Sequence, residues 1–175
     1  MILYIVRQAL PAIILLGLTL TLSVAALPGA SAKVATQNSN IYTIKEAGLQ
    51  FEVPKGWKVE VDTNKNVVVS VEDGAVSVTF VVENDYAGVL TGMKQGLGEK
   101  LTEMKADGDQ QHDTHNGMTH IAETGTGQLR GNAVRWSIDV LKAGKPVTIL
   151  TFGLTKVMDA HVEEYTKLVV SMKKV

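Results

Sequence analysis

Thr114-His115-Asn116-Gly117-Met118-Thr119, at the centre of the stretch from Gln110 to Leu129, decides how the chain around it folds. A two-residue type I′ turn needs positive φ at both central positions, and Asn-Gly accepts that conformation readily. The flanking runs therefore fold back as a hairpin. Counting outward from the turn pairs His115 with Met118, Asp113 with His120 and His112 with Ile121. Side chains alternate along a strand, so Asp113, His115 and His120 share one face and His112 lies on the other.

Upstream, Asp85 is placed to cap a helix, and Leu90, Met93, Leu97, Leu101 and Met104 recur at spacings of three and four. That stripe predicts a helix packed on a sheet and closed by Asp107-Gly108. Gly88, Gly92 and Gly96 fall four apart on a different side of it, where glycine weakens a helix. Earlier still, Asp73-Gly74 predicts a second hairpin, with Val71 opposite Val76, Val69 opposite Val78 and Val67 opposite Phe80. Leu49, Phe51 and Val53 alternate with polar residues as a half-buried strand, Val53-Pro54-Lys55-Gly56 forms a turn, and Trp57 to Val61 continues as a strand.

Downstream, Thr124-Gly125-Thr126-Gly127 reads as a glycine-rich bend between strands. Val134, Trp136, Ile138 and Val140 then form one apolar face, while Arg135 and Asp139 sit opposite as an exposed pair. From Val147 to Leu154 both alternating sets are largely apolar, so this strand must be covered on each side. Asp159 is the expected N-cap of a last helix whose buried stripe is Val162, Tyr165, Leu168, Val169 and Met172, with Lys173 and Lys174 at its end.

The 175 residues are 45% hydrophobic and 20% charged, an ordinary globular composition. A formal net charge of -1 offers nothing to a phosphate backbone, so nucleic acid is not an expected partner. With no cysteine, a disulfide framework is excluded. Residues 1–32 form a distinct segment. Arg7 is followed by an apolar run from Ala9 to Leu27, a break at Pro28-Gly29 and the small-residue site Ala30-Ser31-Ala32. This predicts a secretory signal peptide cleaved after Ala32. The alternative is an uncleaved anchor, which would make the leader the chain's contact with a membrane. In either case residues 41–175 form a single domain in the periplasm or outside the cell, with 33–40 as a flexible tether.

The order is four strands, a helix, four strands and a helix. It predicts an α+β fold, a central and mainly antiparallel sheet with helices packed on its faces. It opens with Phe51-Glu52-Val53-Pro54-Lys55-Gly56-Trp57 and closes with Val169-Val170-Ser171-Met172-Lys173. In this it resembles the PsbP-like α/β/α sandwich family, which includes photosystem II accessory proteins, a Ran-binding nuclear transport cofactor and bacterial DcrB-like periplasmic proteins. The resemblance implies a binding or assembly module rather than an enzyme, with a protein or envelope component as partner; it carries over no functional residue.

The residues themselves offer little chemistry. There is no Gly-x-Ser-x-Gly elbow and no cysteine nucleophile. Gly125-Thr126-Gly127 is followed by a strand and lacks the helix N-terminus of a phosphate loop. The one candidate site is metal-binding: Asp113, His115 and His120 offer two imidazoles and a carboxylate on one face, donors suited to Zn²⁺ or Cu²⁺. Met118 on that face would also suit copper(I). The same histidines could instead gain charge at mildly acid pH and act as a switch. The competing expectation is a solvated hairpin tip.

Overall fold

In the computed structural model, which describes residues 40–175, Asn116 and Gly117 both adopt positive φ, 47° and 77°. The hairpin has the expected register: His115 pairs with Met118, Asp113 with His120 and His112 with Ile121. At the Asp73-Gly74 turn Val67 likewise lies opposite Phe80, and Val69 opposite Val78. The expected leader (1–32) lies outside the described residues, as does most of the expected tether.

The elements run β1 (Ile41–Ile44), β2 (Leu49–Glu52), β3 (Lys58–Val61), β4 (Val67–Ser70), β5 (Val76–Val82), α1 (Tyr86–Lys100), β6 (Thr102–Ala106), β7 (Gln111–His115), β8 (Met118–Leu129), β9 (Asn132–Lys142), β10 (Pro146–Leu154), α2 (Thr155–Ala160), α3 (Val162–Ser171) and β11 (Lys173–Lys174). Strands β3-β4-β5-β10-β9-β8-β6 form one antiparallel sheet, with β7 sharing the outer edge of β8 with β6. A small second sheet has the order β1-β2-β11.

The large sheet is covered on both faces. On one face Val81, Trp136, Ile138 and Leu150 pack against Met93 and Leu97 of α1. On the other, Val69, Val78, Phe80 and Ile149 pack against Phe51 of the small sheet and Leu168 of α3. As expected, β10 is buried on both sides: Ile149 and Leu150, which face opposite ways, are both buried. Among the described residues no helix is long and apolar enough to cross a membrane.

Four expectations are corrected. First, the helix stops at Lys100, well before Asp107-Gly108, and Met104 lies in β6. The Leu101 amide still bonds to the Leu97 carbonyl, but Leu101 is extended and Thr102 pairs with Gln128. The free edge of β8 thus satisfies backbone groups that a glycine-rich helix end satisfies poorly. Gly92 and Gly96 are buried alongside Met93 and Leu97.

Second, Thr124 to Gly127 is no bend but the middle of β8. A Cβ on Gly125 would sit 2.3 Å from both the Lys105 carbonyl oxygen and Trp136 Cζ2, so glycine is there to let the indole lie on the strand. The chain turns instead at Arg130-Gly131, again with two positive φ values, 51° and 78°.

Third, the last helical segment breaks at His161, which leaves Val162 54% exposed and outside the buried stripe. Asp159 lies inside α2 and caps nothing; its carboxylate accepts from Arg135 Nη1 at 2.6 Å. Lys173 and Lys174 pair with Gln50 and Leu49 as β11 rather than ending the helix. Fourth, with β1, β6 and β11 added, the element order is richer than four strands and a helix repeated.

Candidate functional site: a paired histidine beneath the last helix

On the candidate face of the β7–β8 hairpin, His115 and His120 turn towards α3, while the Asp113 side chain is 61% exposed. Leu129 pairs with Asn132 across the Arg130-Gly131 turn, and this register sets His120 opposite Leu141. Asp139 and Leu141 then lie on the same face as His120. His115 and His120 meet Asp139 and Thr151 from the sheet and Tyr165, Val169 and Met172 from above, around a cavity of about 30 Å³. A water needs roughly 10–15 Å³ of such space, so the cavity admits about two.

His120 lies between two carboxylates. Its Nδ1 is 2.7 Å from Asp113 Oδ1, and its Nε2 is 2.9 Å from Asp139 Oδ1. Carboxylates only accept, so both ring nitrogens must donate, and only the imidazolium has two N–H groups. The pKa is accordingly held above the ordinary histidine value: the hydrogen bond to Asp139 raises it most, that to Asp113 adds, and partial burial opposes them. The second oxygen of Asp139 accepts from Ser137 Oγ at 2.8 Å. Tyr165 lies 3.3 Å from Thr151 Oγ1, and burial, helped by the Asp139 charge, pushes its phenol up.

Of the three expected metal ligands, Asp113 and His120 are joined directly. His115 stands beside them, its ring 6.1 Å from that of His120 in an edge-on arrangement. Both nitrogens of His120 are engaged by carboxylates, and among the described residues no three His, Asp or Glu side chains are placed to hold an ion. Met118 points into the core, only 2% exposed. His112 is exposed, on the opposite face.

Asp139, Ser137 and Tyr165 escaped the sequence reading, which treated Asp139 as the exposed partner of Arg135. The usable signal was Arg130-Gly131: taken as a two-residue turn, it brings Asp139 next to His120. Asn116 also does more than turn the chain. Its Nδ2 donates to the Val170 carbonyl at 2.9 Å and the Met172 carbonyl at 2.8 Å, satisfying acceptors that a helix end leaves free.

No protein-family model matches the sequence, and no curated protein matches it. Solved structures do. Cyanobacterial PsbP (CyanoP) from Synechocystis superposes with a TM-score of 0.59 at 11% identity, over 84% of this chain and 98% of that one. LpqN, involved in cell envelope biogenesis of Mycobacterium tuberculosis, superposes with a TM-score of 0.50 at 12% identity, over 79% of this chain and 86% of that one. A protein from Bacteroides thetaiotaomicron reaches 0.50 at 12% identity, over 79% of this chain but 49% of its own. The fold is PsbP-like, as the resemblance implied; at these identities the likeness is one of fold.

Proposed function

We propose that this chain, with its PsbP-like fold, is an exported, non-catalytic binding module that acts on a protein or another component of the cell envelope. The observation that carries the reading is the state of the polar groups in the site. His120, Asp113, Asp139 and Ser137 are bound to one another, around a cavity with room for about two waters. An enzyme site aims unpaired groups at space large enough for a substrate; here these four polar groups are spent on one another. Such a protein meets its partner with its surface. The leader expected at residues 1–32 supports export, and the fold is similar to that of a protein involved in cell envelope biogenesis of Mycobacterium tuberculosis.

Fractionation of cells producing the full chain with a C-terminal epitope tests the location. The tag is expected outside the cytoplasm, and recovery with cytoplasmic markers would overturn the reading. Isothermal titration with Zn²⁺ and Cu²⁺ separates it from a metal-handling role at Asp113, His115 and His120. The binding reading expects no saturable heat. Saturable heat that disappears in a His115→Ala, His120→Ala variant would favour the metal.

A further inference from the structure

We propose that the β7–β8 hairpin is a proton-operated latch on α3: charged His120 ties the hairpin to the body of the sheet, and the hairpin tip holds the C-terminal end of the helix. The latch goes beyond a binding role and does not depend on it.

At the base of the hairpin, Asp113 of edge strand β7 and Asp139 of β9 are bridged through the two nitrogens of His120. Four residues away at the tip, Asn116 spends both amide protons on the carbonyls of Val170 and Met172. Among the described residues β7 pairs with β8 alone, and most of its residues are exposed, so side-chain ties count heavily in fixing its position.

The groups that face His120 decide what loss of its proton does. They are Asp113 and His115 from β7, Asp139 from β9 and Tyr165 from α3; β10 contributes the uncharged Thr151 and Ile149, and α3 adds the apolar Val169 and Met172. Among the described residues no Lys or Arg lines the cleft. When the imidazolium gives its proton to water, one N–H remains for two carboxylates. One carboxylate then faces a ring lone pair, and the pair of negative charges loses the cation between them. Repulsion falls on β7, an edge strand paired to β8, and moves the tip that Asn116 occupies. The helix end keeps its second anchor, because β11 stays paired with β2 and the Glu52 amide still donates to Ser171 Oγ at 2.8 Å. The opening is therefore local: it frees the last turn of α3 and widens the cleft beneath it.

Amide hydrogen exchange followed by NMR on the purified protein tests this, with ring signals reporting each histidine's protonation. As pH rises from about 5.5 to about 9, protection of the amides from Leu168 to Met172, corrected for intrinsic exchange, is expected to fall by roughly fivefold or more while β5 and β10 stay protected. The midpoint should coincide with titration of His120. In Asp113→Asn, which removes one carboxylate, that midpoint should move to lower pH. In Asn116→Ala protection should be low at every pH while His120 titrates normally. A flat profile in the wild type, a pH-dependent loss that survives in His120→Gln, or an unmoved midpoint in Asp113→Asn would each overturn the latch.

Discussion

Asn116 shows how one residue serves two scales. Its positive φ makes the turn, which local sequence reveals, and its amide caps α3, which local sequence cannot reveal because Val170 and Met172 lie more than fifty positions away. Asn116→Gly separates the roles: glycine keeps the turn geometry and removes two hydrogen bonds. The expected loss is about 1–3 kcal/mol by denaturant titration, at about 0.5–1.5 kcal/mol for each bond. Gly125→Ala should cost about 1–3 kcal/mol by the same measurement, because the new methyl collides with the Lys105 carbonyl and the Trp136 ring. His120 adds a pH dependence whose sign follows from its raised folded pKa. Its stabilising contribution is complete below the ordinary histidine value, about 6.5, and is lost as pH rises through the higher folded value. Comparing denaturation at about pH 6 and about pH 9 should show this part of the loss in the wild type and not in His120→Gln.

At the scale of elements, what was legible depended on periodicity and turn chemistry. The registers of both hairpins were read correctly; at Asn116-Gly117 both residues take the positive φ of the expected turn, whereas at Asp73-Gly74 only Gly74 does, and its amide closes the turn on the Val71 carbonyl. Strand β10 was read as buried on both faces because both of its alternating sets are apolar. Strands β1, β6 and β11 were missed. They are short; Thr102–Ala106 offers only Met104 and Ala106 as apolar residues and Lys173–Lys174 none, so pairing to a free edge makes β6 and β11 strands, whereas Ile41–Ile44 did carry a local signal in its β-branched and aromatic residues. The candidate site was half legible: cross-strand register gave Asp113 and His120, but Asp139 needed the register across Arg130-Gly131, which glycines inside β8 concealed. The break at His161 makes a sharp distinction along one former stripe. Leu168→Ala should cost about 2–5 kcal/mol, since it empties a fully buried site, whereas Val162→Ser should stay within about 0.5 kcal/mol of the wild type.

At the largest scale the described residues form a sheet covered on one face by α1 and on the other by α3 and a small sheet, a fold similar to those of CyanoP and LpqN. Within it His120 joins Asp113 of β7 to Asp139 of β9, and Tyr165 of α3 meets Thr151 of β10. On the proposed reading, recognition falls to the surface and the envelope is where that surface works. The most direct measurement is capture from native envelope extract on the immobilised domain, with and without excess free domain as competitor, read by quantitative mass spectrometry. The binding reading expects a component whose recovery saturates and is displaced by the free domain. An extract in which no component is displaced would contradict it.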